Sequence, residues 1–340
     1  MRHIRSWVRS IGSGYLPFIL ALFLGLVAAP VTAGAQPADS PLRIGFMPLG
    51  SPSNAYDRSI VEAFRQGLRD AGLVENRHVI VDLVWVANDG DYARAVSELV
   101  ERGARVLVPA GSSASAAAKR HTSTIPIVFV SVGNPVGIGL VDSLSRPGHN
   151  ATGFSDVLTD LSGKYVDLAR DLGRPQGPIE YVWYSGWPDG KNRLQATEQA
   201  ASSLGVKFRA RGIDGAAEFN DVMAAMKKAG ALTLIVQPSP FTYRHRVGII
   251  ESAMTQGLGT IFAWPVAARE GALIAYGPDY TDLYRRAASY AARIIRGTKP
   301  ADLPVQEPTK FELVINMKTA KTLGLTVPQT LLNRADEVVQ

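Results

Sequence analysis

Along the chain, short apolar runs alternate with segments in which apolar residues return every third or fourth position. Residues 42–48 (LRIGFMP) read as a buried strand. Residues 56–71 follow as a helix, with Ile60, Phe64 and Leu68 at four-residue spacing and Gly72 at the end. The same rhythm predicts strand 79–86, helix 92–102, strand 105–109, helix 113–121 and strand 126–130. It resumes with strand 150–154, helix 161–172 and a turn-rich seam at 173–178. Strands at 179–184, 206–211, 232–237 and 260–263 then alternate with helices at 193–204, 218–229 and 243–256, and 282–297 forms one more amphipathic helix. Strand–helix units in this order predict an α/β fold of two doubly wound, Rossmann-like lobes, each a parallel sheet with helices on both faces.

Composition agrees with a globular chain: 46% of residues are hydrophobic and 19% charged, and 340 residues exceed what one small core accommodates. The first 35 residues stand apart. Arg2, Arg5 and Arg9 precede an apolar stretch over 15–29, and Ala33-Gly34-Ala35 then supplies small residues for cleavage. That order predicts a signal peptide over 1–35, cut near Ala35 and leaving a periplasmic protein. The apolar stretch is short for a membrane span, and a cleavage motif follows it directly. Its three arginines, with no acid, account for half of the +6 formal charge. The nearly balanced remainder predicts no nucleic-acid partner. With no cysteine, an exported chain depends on its buried core and has no thiolate chemistry.

Motifs for catalysis or cofactors are weak. Gly137-Ile138-Gly139 matches half of a dinucleotide fingerprint, but Asp142 occupies the third glycine position and Pro135 interrupts the turn. Residues 186–192 (GWPDGKN) have one residue too few for a phosphate loop, and Asn192 stands where a hydroxyl should hold magnesium. The five histidines never reach metal-ligand spacing, and no G-x-S-x-G elbow occurs. The expectation is a binding protein, not an enzyme, with no cofactor and no metal. A secreted α/β enzyme is the weaker alternative.

Small, polar and aromatic residues instead gather where strands end. They include Ser51 and Asn54 after the first strand, Ser112 and Ser113 after the third, and Asn134 after the fourth. Trp187, Ser239 and Trp264 follow strands of the second half. Two α/β lobes meet at a cleft lined by such ends. A helix opening at Gly111-Ser112-Ser113 offers free backbone N–H groups suited to a carboxylate. The plainer alternative makes the serines helix caps and the tryptophans core.

Further stretches carry a resemblance: TIPIVF at 124–129 with NPVG at 134–137, SRPGHNATG at 145–153, YGPD at 276–279 and LYRRAA at 283–288. KPADLPV at 299–305, PTKFELVIN at 308–316 and RADE at 334–337 complete it. With these, the chain from about Leu42 to Gln340 resembles the substrate-binding proteins of ABC importers. The group is that of the type I periplasmic-binding fold whose characterised members take aromatic amino acids. Asn134 departs from the usual aspartate, and 184–188 departs from a usually Asn-Pro-rich stretch. The resemblance implies a three-segment hinge at 155–159, 276–281 and 304–310. It divides the chain into a lobe of 42–156 plus 281–304 and a lobe of 157–277 plus 307–340. It also implies a monomer that binds a small organic solute, adds Asp279 to the candidate ligand residues, and makes an ABC permease and its ATPase the partners. A ligand-sensing protein of a periplasmic signalling system is the alternative use of the same cleft.

Overall fold

The computed structural model describes residues 40–172, 177–187 and 189–340. The expected signal peptide and most of the 173–178 seam lie outside them. The first sheet holds five parallel strands: β1 (Leu42–Met47), β2 (Val79–Leu83), β3 (Ala104–Pro109), β4 (Ile127–Val132) and β5 (Ala151–Ser155). They run in the order β2-β1-β3-β4-β5. All six residues of β4 are buried, as a parallel strand covered on both faces requires. Helices α1 (Ala55–Asp70), α2 (Tyr92–Glu101) and α3 (Ser112–His121) make the crossovers. The first of them starts where Asn54 accepts the Asp57 N–H, an N-cap bond of 3.1 Å.

The second sheet contains β6 (Ile179–Tyr184), β7 (Phe208–Ile213), β8 (Thr233–Val236) and β9 (Gly259–Phe262). It continues with β10 (Ile274–Pro278), β11 (Phe311–Asn316) and β12 (Glu337–Val339), in the order β12-β11-β10-β9-β8-β6-β7. Helices α4 (Ser162–Asp171), α5 (Gly190–Ser203), α6 (Phe219–Lys228), α7 (Pro240–Arg244), α8 (Arg246–Thr255) and α9 (Pro265–Arg269) cover it. Strand β11 is antiparallel to β10, because the chain leaves this lobe between the two. That excursion is α10 (Tyr280–Ile295), which packs along α1 over the first sheet. The short α11 (Met317–Thr322) and α12 (Gln329–Leu332) precede β12.

Strand order reverses beside β1 in the first sheet and beside β6 in the second. The loops that diverge at these two points open the crevice where ligands of such sheets bind. Three passages join the lobes: one after β5, one at Asp279, and one through 303–310. They run side by side. Gln306 donates its N–H to Gly153 and its carbonyl accepts from Ser155, while Asp279 donates to the Lys310 carbonyl.

Several boundaries differ from the sequence reading. The expected helix over 243–256 is two helices meeting at His245. A capping box of Ser239 and Thr242, with Pro240 in the first turn, starts the first of them earlier. Residues 276–278 belong to β10, so the passage expected over 276–281 narrows to Asp279. Strand β2 stops at Leu83, short of Val86.

The α1–α10 contact depends on Gly67. A Cβ there would lie 2.2 Å from the Arg285 carbonyl oxygen and 2.8 Å from the Ala288 Cβ. Alanine normally stabilises a helix by about 1 kcal/mol over glycine, but this overpacking should reverse the sign. Gly67→Ala is expected to destabilise by about 1–3 kcal/mol in urea unfolding. Gly163→Ala in α4, whose Cβ would meet nothing closer than 3.8 Å, should be neutral or stabilising.

Candidate functional site

A narrow void of about 20 Å³ lies between the carboxyl ends of the two sheets. On the first-lobe side it is lined by Leu49 after β1, Gly111 and Ser112 after β3, Ser131 of β4, and Asp156 and Leu158 just past β5. On the second-lobe side stand Trp187 and Arg193 after β6, Pro238, Ser239 and Pro240 after β8, and Trp264 after β9.

Two charged side chains dominate this space. Arg193, in the first turn of α5, is 3% exposed and has its guanidinium over the Trp187 ring, 5.1 Å from the centroid. It stands 3.8 Å from Asp156 and 3.6 Å from Asp189, near enough for attraction and too far for hydrogen bonds. Among the described residues, its Nε and Nη1 find no acceptor. Asp156, 3% exposed, accepts from the Ser131 hydroxyl at 2.9 Å and from the Leu158 N–H at 3.2 Å. A buried guanidinium with free N–H groups is costly unless another oxygen meets it.

The backbone is bent to build this corner. The β4–β5 register slips between Val130 and Val132, and Ser131 adopts φ +58°. A bulge beside a site re-aims a side chain, and here it turns the Ser131 hydroxyl onto Asp156. Val157, one residue on, has φ +50°. A β-branched residue rarely holds such a value, so local strain is stored where the first interlobe passage begins.

Other donors face the same region. The N-cap of α3 is Gly111, at φ +83°, and no side chain caps that helix, so the Ser112 and Ser113 hydroxyls are not spent on capping. The Trp264 Nε1 and the Tyr165 hydroxyl are buried without a partner among the described residues. Burial pushes the Tyr165 phenol well above its usual range, against the pull of Arg193, so it stays protonated and able to donate. Arg193, Trp264 and Tyr165 thus leave donors unmet among the described residues, and the buried Gln237 just past β8 leaves its Oε1 acceptor unmet.

The structure brings four of the sequence-derived candidates to the void: Ser112, Trp187, Ser239 and Trp264. Ser113 lines an adjoining groove. The side chains of the other four are occupied elsewhere. The Ser51 hydroxyl pairs with Ser53 at 2.8 Å, and Asn54 caps α1 and donates to Glu270 at 2.8 Å. Asn134 is exposed and accepts the Gly137 N–H, and Asp279 caps α10. Sequence reasoning missed Arg193, Asp156 and Ser131. An acid directly after β5 could have been flagged by the strand-end rule, whereas nothing in the pattern of α5 marks Arg193. Among the described residues no three acidic, histidine or cysteine side chains gather to hold a metal ion.

Beside the void the lobes are pinned by charge. Arg246 of α8, 2% exposed, reaches Asp57 of α1 at 3.1 Å and Glu270 at 2.6 Å. Asp57, itself 1% exposed, also accepts from the Tyr243 hydroxyl at 2.7 Å and the Ser51 N–H at 2.8 Å. Burial pushes the Asp57 carboxyl upward, and Arg246 and the donors pull it back. Nearer the rim, Arg244 pairs with Asp89 and donates to the Tyr92 hydroxyl at 3.0 Å.

The sequence model of a family described as "ABC transporter substrate binding protein" matches residues 53–339. A tyrosine-binding protein of Clostridioides difficile (strain R20291) is 25% identical over 266 residues, covering 78% of this chain and 76% of the relative. A conserved domain protein from Vibrio cholerae superposes with a TM-score of 0.80 at 24% identity, over 87% of this chain and 99% of that one. A domain from Streptococcus pneumonia in complex with L-Trp gives 0.79 at 22% identity, over 88% and 100%. The likeness to these two structures is one of fold, the type I periplasmic-binding fold.

The Arg246–Asp57 pair generates a prediction. Arg246→Met leaves Asp57 buried without its cation, a change worth about 3–5 kcal/mol. The variant should favour separated lobes, seen as a larger radius of gyration in small-angle scattering. Arg244→Met, whose partner Asp89 is more exposed, should change the radius less. Equal radii for parent and Arg246→Met would show that this pair does not hold the lobes together.

Proposed function

The chain belongs to the family of ABC transporter substrate-binding proteins, and from that premise we propose that it captures an amino acid between its lobes for delivery to a membrane permease and ATPase. The observation that carries the reading is the juxtaposition of Arg193 and Asp156 across the void. The ligand carboxylate faces Arg193, the free N–H groups of α3 and the Trp264 Nε1. The ligand ammonium faces Asp156. Charge balance favours this over a simple carboxylate. Asp156 and Asp189 already surround one guanidinium, so a lone anion would add to an acidic excess, whereas a zwitterion brings its own cation. A relative named for tyrosine and a neighbour solved with L-Trp support the same class.

Capture works by closure. A ligand that touches both lobes binds the closed arrangement better and shifts the population toward it. The side-by-side passages and the strained Ser131–Val157 corner suit such a rotation. The leader expected over residues 1–35 exports the chain to the periplasm, where a permease can receive the load.

Isothermal titration of the mature chain with L-tyrosine, L-tryptophan and L-phenylalanine tests the reading. Arg193→Met should weaken binding by about 1.5–3 kcal/mol, roughly 10–150-fold. Ser112→Ala with Ser113→Ala should cost about 1–3 kcal/mol. Unchanged affinity in the arginine variant, with native circular dichroism, would sink the carboxylate assignment. Protein recovered from the periplasm should begin near Gln36, and a membrane-bound chain beginning at Met1 would contradict export by cleavage.

A further inference from the structure

The lobes meet too closely here to admit a solute. At about 20 Å³ the void has room for about one water, and a head group with a carboxylate, an α-carbon and an ammonium needs several times that. What fills the space is the second lobe's own side chain. Arg193 reaches the first lobe at Gly133, in the turn after β4, where a Cβ would lie 1.9 Å from the arginine Nη2 and 3.0 Å from its Cζ. Only glycine leaves that seat open, and from it the guanidinium stands 3.8 Å from Asp156. The Trp187 ring, 4% exposed, lies against the same guanidinium. The other bonds across the cleft are also the protein's own: Asn54 to Glu270 at 2.8 Å, Tyr243 to Asp57 at 2.7 Å and Arg244 to Tyr92 at 3.0 Å.

Resting on the amino-acid reading above, we infer that this is a self-latched arrangement, shut further than the loaded protein can shut, in which Arg193 competes with the ligand for Asp156. Seated at Gly133, the guanidinium supplies the cation that a ligand ammonium would otherwise bring to that carboxylate. The pairing is loose: at 3.8 Å it is no hydrogen bond, and two of the arginine nitrogens keep no acceptor among the described residues. A zwitterion can split such a pair, its ammonium going to Asp156 and its carboxylate to Arg193. The lobes must first part enough to withdraw the guanidinium from Gly133. Closure on the ligand then stops short of the latch. Molecules in the latched arrangement do not bind until they open, so the apparent affinity falls in proportion to the open fraction.

Gly133 separates the two roles of the arginine. Its φ is not positive, so alanine suits the backbone. Gly133→Ala denies the guanidinium its seat and leaves Arg193 free to meet a carboxylate, whereas Arg193→Met removes both. Titrated with L-tyrosine and L-tryptophan, Gly133→Ala should bind about tenfold tighter than the parent, the relief expected when about a tenth of the population is open. Arg244→Met, which loosens the closed lobes at the rim, should tighten binding in the same direction. The chain has no cysteine, so spin labels on Ala93→Cys and Glu198→Cys, one exposed position in each lobe, report lobe separation without any ligand. Gly133→Ala should lengthen that distance in pulsed electron paramagnetic resonance. If circular dichroism shows that Gly133→Ala misfolds, Arg244→Met carries the same two readouts. Affinity unchanged or weakened in the folded variant, or label distances identical to the parent's, overturns the latch and leaves the head-group assignment standing. Failure of both amino acids to bind the parent overturns that assignment, and the label distances still decide the latch.

Discussion

Two guanidinium groups, Arg193 and Arg246, lie between the lobes with almost no contact with water, and most of the interlobe structure follows from that. A buried cation is tolerated only where carboxylates and oriented acceptors replace its hydration. Arg246 has a full set: Asp57, Glu270, the Tyr243 carbonyl at 3.0 Å and the Tyr243 ring at 4.4 Å. Arg193 does not, since its acids stand off at 3.6 Å and 3.8 Å. Arg246 therefore ties the lobes together with a full set of acceptors, whereas Arg193 keeps two nitrogens without an acceptor among the described residues.

The difference is built by secondary structure. Asp57 sits in the first turn of α1, where Asn54 and Ser51 fold the preceding loop onto it, so its geometry is fixed within one lobe. Asp156 lies past a bulged strand and beside a valine at positive φ, at the point where the chain changes lobes. A change in lobe angle moves Asp156 relative to Arg193 and leaves the Asp57 loop intact. On the amino-acid reading proposed above, ligand binding and lobe closure would be read out at the same carboxylate.

Much of the fold was legible in the sequence because parallel strands buried on both faces are short apolar runs, and β6 falls on the expected residues 179–184. What escaped was governed by contacts distant in sequence. Residues 274–278 form a strand only because β9 and β11 flank them, and no local alternation announces it. The site divides in the same way. Ser112, Trp187, Ser239 and Trp264 stand at strand ends and were found by that rule. Arg193 is one turn into a helix whose apolar face is weakly marked, and its role comes from Asp156, 37 positions earlier in the chain. Asn54, picked out as a strand-end residue, and Asp279, carried by the resemblance, each cap a helix through the side chain.

The docking of α10 on α1 has a consequence for how the protein comes into being. The helix that completes the first lobe is supplied by residues 280–295, after nearly all of the second lobe. Before those residues have been synthesised, α1 presents Phe64 and Leu68 with no partner helix to cover that side of the sheet. The first lobe therefore cannot mature ahead of the second in the usual vectorial order, and its folding waits on contacts of long sequence separation. A nascent chain of this design stays incompletely folded until the residues through Ile295 have been made.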